Sequence, residues 1–239
     1  MQNISDLVVE VARSVPIVDR TTTAITYPRD KSKPAYLQGI ATMPEHVSVP
    51  EIVNDMARRN NAVITVKGLE VSFLNLPHGA KQYPKCDAVL TVANPSIEDW
   101  AVEFKRIQFL GDNGKNNDYG FQKLFSPYLK DRSLLHDCSS LADSGLGHRR
   151  FVVGWSFRHS LQLLHEALSR HPQHADRIQS AKKVCALETN GRLDPEIGVD
   201  MVNSFLHQKG LVKDFASTPF SGAWRHPIGG DGLVFGWEL

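Results

Sequence analysis

Two strand-like runs joined by one turn constrain this chain more than any other feature. Asp87-Ala-Val-Leu-Thr-Val92 is short, apolar and of strand length. Asn94-Pro95-Ser96 is a turn signal, and Trp100-Ala-Val-Glu-Phe-Lys-Arg-Ile107 alternates apolar with polar residues. Upstream, 62–66 and 69–76 are also β-rich, with Leu69, Val71 and Phe73 alternating against Glu70 and Ser72. Strands at such short spacing predict an antiparallel meander.

Helical periodicity flanks this meander. Leu7, Val8, Val11 and Val15 predict a helix over 4–15, with Pro16 marking its end. The stretch 21–50 reads as irregular, broken by Pro28, Pro34, Pro44 and Pro50. A second helix is predicted over 50–59, with Pro50 in its first turn and Ile52, Val53 and Met56 on one face. Beyond the meander lie a polar loop over 111–119, helices over 121–129 and 133–142, and a buried strand over 150–156. A helix follows over 160–170, with Leu161, Leu164 and Leu168 on one side. After Pro172 the pattern supports a helix over 195–208 and a late strand over 233–237. There are no internal repeats and no low-complexity linker. The order predicts one α/β (α+β) domain over 1–239, with a C-terminal elaboration over about 161–239.

Composition narrows the function classes. Hydrophobic residues at 41% and charged residues at 22% are ordinary for a globular chain, and a net charge of +1 announces no nucleic-acid binder, so any such face would be local. Cys86, Cys138 and Cys185 are far apart and form no CxxC pair, which argues against a disulfide framework or a zinc ribbon. The first residues carry Asp6 and Glu10 instead of a basic start and an apolar run, and no uncharged apolar stretch has membrane-spanning length. The expectation is a reduced, cytoplasmic, soluble protein without membrane contact.

The chemistry is carried by Asp87, fifteen intervening residues, and then Glu103-Phe-Lys105. Glu103 and Lys105 are two apart on a strand and share a face, and a tight hairpin brings Asp87 beside them. Two carboxylates and an ammonium on one face would be penalised by burial alone. Chemistry gives them a use. Hard oxygen ligands hold Mg²⁺ while it keeps several waters, and a nearby lysine can orient or help deprotonate a metal-bound water. The competing reading is an exposed, charged hairpin edge.

With Pro84, Asp87, Glu103 and Lys105, the chain resembles the PD-(D/E)XK nuclease superfamily over about residues 50–160, although Lys85-Cys86 separates the proline from the aspartate. The resemblance implies a restriction-endonuclease-like core, a central mixed β-sheet flanked by helices. It implies metal-dependent cleavage of DNA or RNA with Mg²⁺ or Mn²⁺, with Asp87 and Glu103 as metal ligands and Lys105 as the catalytic lysine. A further acid from the preceding helix is also implied. Glu51 is the candidate, and its alternative role is a first-turn acid at the helix dipole. Glu70 on the preceding strand competes with it. A DNA endonuclease of restriction or repair type is the leading expectation, and a double-strand cleaver would act as a homodimer, although no dimer seam is legible.

Between 146 and 183 there are seven Lys or Arg against Glu166 and Asp176, a local excess that could follow a phosphate backbone or form a solvated face. Arg158 and Arg170 are its candidate nucleic-acid contacts, together with Lys115 and the backbone amides of the Gly111–Lys115 loop. His159, His165, His171 and His174, at spacings of six, six and three, match no zinc pattern. Trp224, His226, Phe235 and Trp237 read as core residues sooner than as base-stacking platforms. Two alternatives stay open, a non-catalytic nucleic-acid- or protein-binding member of the same fold and a histidine-based metal enzyme.

Overall fold

The computed structural model of the chain describes residues 1–29, 32–74, 84–93, 95–117, 119–126, 133–187 and 193–239. Residues 75–76 of the predicted strand, 127–129 of the predicted helix, Asn94 of the turn and Asp118 of the polar loop lie outside the described residues.

Helix α1 spans Ile4–Thr21, with Asn3 capping its first turn by accepting from the Asp6 amide at 3.1 Å. It runs past Pro16, where the sequence pattern predicts its end. A proline inside a helix costs about 3 kcal/mol. Each buried valine contributes roughly 1.5–3 kcal/mol, and Val15 and Val18 on either side of Pro16 are both buried. Burial wins. Helix α2 spans Glu45–Arg59, so it begins at Pro44-Glu45 and contains Pro50 in place of starting there. Val49, Ile52, Val53 and Met56 are its buried face.

Strand β1 (Ile64–Ser72) unites what the sequence divides into two runs, with a bulge between Val66 and Gly68. It pairs antiparallel with β2 (Lys85–Ala93), which pairs antiparallel with β3 (Ile97–Ile107) from Ala88↔Val102 to Ala93↔Ile97. Helices α3 (Tyr119–Phe125) and α4 (Leu134–Ala142) then form the crossover to β4 (Arg149–Phe157), which runs parallel to β3. Parallel neighbours require such a connection.

Helices α5 (Leu161–Arg170), α6 (Ala175–Leu187) and α7 (Pro195–Gln208) follow, then strands β5 (Asp214–Ala223) and β6 (Gly230–Glu238). The strand order β1-β2-β3-β4-β6-β5 makes one six-stranded mixed sheet flanked by helices. The C-terminal strands therefore belong to the same sheet as the meander. The sequence pattern predicts neither α6 nor β5. Helix α6 fully buries only Ile178 and Ala181, and β5 is an edge strand of mostly small or polar residues, with two residues buried, that contains Pro219.

Strand alternation separates two cores. On one face α1 and α2 cover Ala88, Leu90, Trp100, Val102 and Phe104. On the other, Leu124 of α3, Leu134, Cys138 and Leu141 of α4, and Val199 and Val202 of α7 pack with Val89, Ala101, Ile107 and Phe235. No described helix is long and apolar enough to cross a membrane.

Candidate functional site

The β2–β3 ladder ends at Ala88↔Val102, one step short of Asp87 and Glu103. Strand β2 instead continues its pairing with β1 at Cys86 and Lys85. Side chains take over where the backbone ladder stops. The Phe104 amide donates to Asp87 Oδ2 at 2.7 Å, and the Asp87 amide donates to Glu103 Oε2 at 3.3 Å. The two carboxylates expected from the sequence thus meet at the opening between the strands.

Two residues further along β3, Lys105 is 3% exposed and its Nζ lies 2.6 Å from Asp137 Oδ2 on α4. Asp137 is itself buried. Glu45, at the first turn of α2, accepts from the Arg106 amide at 2.8 Å and stands near enough to act electrostatically on Asp87, Lys105 and Asp137. Acids therefore outnumber the one lysine in this group.

The electrostatics follow from that excess. Burial pushes the Asp87 carboxyl up to about 7, with Glu45 and Glu70 adding to the rise and the Phe104 amide and Lys105 opposing it. Burial also holds Glu103 well above the usual carboxylate range, reinforced by Asp87 and Asp137. Asp137 is raised by burial despite its lysine. Burial would lower Lys105, but Asp137, Glu45 and Glu103 outweigh it and hold the ammonium above its ordinary value.

Glu51 is placed elsewhere, which corrects its assignment as a metal ligand. It accepts from Thr22 Oγ1 at 3.0 Å and lines a cavity of about 240 Å³ with Val18, Thr21, Asn54, Asp55 and Arg58. Because α2 starts at Glu45, Glu51 is six residues on. At about 100° per residue it faces roughly 120° away from Glu45. Glu70 is exposed, sits in the left-handed region at φ 52°, and pairs with Lys85 at 3.8 Å. It reaches Asp87 only through its field.

Two acids that sequence reasoning misses, Glu45 and Asp137, join the site. Pro44 is the signal for the first, being a proline at a helix start. For the second, Leu134, Cys138 and Leu141 form an apolar face at helical spacing, and Asp137 interrupts it.

The proposed nucleic-acid contacts are dispersed. Lys115 is exposed, and three amides of its loop are engaged internally. Gly111 N–H donates to the Lys115 carbonyl, Gly114 N–H to the Gly111 carbonyl and Lys115 N–H to Asn113 Oδ1. Asp112 fixes that loop by accepting from the Leu37 amide at 3.0 Å and from His226 Nε2 at 3.0 Å. The Ile228 amide donates to His226 Nδ1, which leaves the ring proton on Nε2. Arg158 pairs with Glu196, and Arg170 lies over the Trp224 ring at 4.8 Å.

Arg149 is bound to Glu238 and stacks on Trp100. It stands at the opposite end of β4 from Arg158, so the basic stretch is not one continuous face. His226, Phe235 and Trp237 are fully buried core residues.

Among the described residues no three His, Cys, Asp or Glu side chains form a ready-made metal cluster, at the 159–174 histidines or elsewhere. No family model, curated protein or solved structure matches this chain.

Proposed function

We propose that the chain is a metal-dependent nuclease that cleaves phosphodiester bonds, with DNA as its substrate and Mg²⁺ or Mn²⁺ as its cofactor. The single observation that carries this reading is the meeting of Asp87 and Glu103 where β2 parts from β3, with Lys105 beside them. Burying two acids side by side raises both, and the apolar packing around them does not offset that cost. A divalent cation would. The residues present fit Mg²⁺, which binds through one or two carboxylates and completes its shell with water and substrate phosphate, so a closed cage of protein ligands is not required.

When bound, the ion supplies a water of lowered pKa and neutralises charge on the phosphate. The chain's own residues do the rest. Asp87 and Glu103 would fix where the ion sits, Glu45 would add negative charge from the α2 side, and Lys105, buried against Asp137, would act on the reacting phosphate through its field. The mixed sheet flanked by helices is the architecture that the PD-(D/E)XK resemblance implies.

The test is cleavage of supercoiled plasmid and of linear DNA. Nicking or degradation with Mg²⁺ or Mn²⁺ that stops with EDTA supports the proposal, and metal-independent cleavage contradicts it. One observation favours a second reading, a binding protein on the same framework without turnover. Lys105 is sequestered by Asp137 with almost no exposure. Inactivity on varied DNA and RNA, with no Mg²⁺ or Mn²⁺ bound, would favour that alternative over the nuclease.

A further inference from the structure

Lys105 lies within electrostatic reach of Glu45, Glu103 and Asp137, and among the described residues its one ion pair is with Asp137, at 2.6 Å. Glu103 is the obvious competitor, two residues away on the same face of β3 and about 7 Å along the strand, within the swing of a lysine side chain. An ammonium turned toward Glu103 would stand where a cation must sit.

The surroundings hold Lys105 on the other choice. Helix α4 is anchored at its start, where Ser133 Oγ accepts from the His136 amide at 3.2 Å and donates to the Ser126 carbonyl at 2.7 Å. Leu134, Cys138 and Leu141 then pack the helix into the same core as Ala101 and Ile107. On the β4 side, Gly154 is registered with Lys105, and the Phe235 ring occupies the space that a Cβ on that glycine would need. The neighbouring position on β4 is thus filled by an aromatic ring, and the lysine is held by a carboxylate on a packed helix.

We propose that Asp137 is a positioning residue, anchoring Lys105 to α4 so that the Asp87–Glu103 pair stays open to a divalent cation. This role rests on the metal-dependent reading above. One carboxylate is committed to the lysine, so the lysine does not neutralise the strand-borne pair.

The test is Mn²⁺ binding without DNA, followed by electron paramagnetic resonance and calorimetry, with thermal melts on each variant. Asp137→Asn should weaken Mn²⁺ binding on the order of tenfold, because Lys105 is released to Glu103. Asp137→Asn combined with Lys105→Met should restore wild-type binding, since the competitor is gone. Asp137→Glu keeps the charge and should bind more tightly than Asp137→Asn, and it carries the test if the asparagine variant melts too low to assay. Unchanged binding in Asp137→Asn, or no recovery in the double variant, overturns the anchor while leaving the metal site standing. A wild-type protein that binds no Mn²⁺ overturns the nuclease proposal and the anchor together.

Discussion

Asp87 and Glu103 are each bonded to the other's strand, Asp87 Oδ2 to the Phe104 amide at 2.7 Å and Glu103 Oε2 to the Asp87 amide at 3.3 Å. These bonds replace the ladder and hold two acids together at a buried opening. The Asp87 carboxyl is held at about 7 in the fold against its ordinary 3.8, so the folded state keeps its proton more tightly than the unfolded chain. Stability from this group is full below about pH 4 and is lost as pH rises through about 7, by roughly 2–4 kcal/mol. Thermal melts of the metal-free protein at pH 5 and pH 8 should show that loss, and Asp87→Asn should flatten it. Equal pH dependence in the two proteins would contradict the geometry.

Cation binding reverses the sign. A carboxylate ligand must be ionised, so Mn²⁺ affinity should climb as pH rises through the range in which the raised Asp87 and Glu103 carboxyls ionise. Calorimetry in buffers of different ionisation enthalpy should detect proton release on binding at pH 6 that diminishes as pH rises. Release that does not depend on pH would place the ion elsewhere.

The two acids of α2 separate cleanly. Glu45→Gln should weaken Mn²⁺ binding, because it removes a negative charge that acts on Asp87, Lys105 and Asp137 while keeping an acceptor for the Arg106 amide. Glu51→Gln should leave cation binding unchanged and weaken only the Thr22 hydrogen bond, by about 0.5–1.5 kcal/mol in a melt. The opposite ranking would restore Glu51 as the helix-borne ligand.

Arg158 and Arg170 test the nucleic-acid path. Each is engaged within the protein, on Glu196 and on Trp224. If they also meet phosphates, replacing both with alanine should lower the slope of log affinity against log salt by about one for each phosphate no longer neutralised. A slope equal to wild type would give both residues a purely internal role.

The meander and its three site residues are readable in the sequence because their signals are local. Strand alternation over 100–107 sets Glu103 and Lys105 on one face, and the turn at Pro95-Ser96 folds Asp87 back toward them. The missing members depend on distant partners. Glu45 escapes because Pro50 looks like a helix start, whereas burial of Val49 and Ile52 carries α2 straight through that proline. Asp137 joins Lys105 from another layer, a pairing no sequence period encodes. Strand β5 is invisible because an edge strand need not alternate, and α6 because Ile178 and Ala181 alone do not make an apolar stripe. The basic stretch misleads for a related reason, since neighbours in sequence end up at opposite ends of β4.

The most direct measurement of the central claim sets Lys105→Ala and Asp87→Ala against the wild type, with plasmid cleavage and Mn²⁺ binding read on the same preparations. The wild type should bind Mn²⁺ and cleave. Lys105→Ala should bind Mn²⁺ at least as well as wild type and fail to cleave, because the lysine acts on the phosphate and is no ligand. Asp87→Ala should lose both, because one remaining strand-borne carboxylate holds the ion poorly against its hydration shell. Cleavage that survives Lys105→Ala undiminished, or Mn²⁺ binding that survives Asp87→Ala, would contradict the assignment of the site.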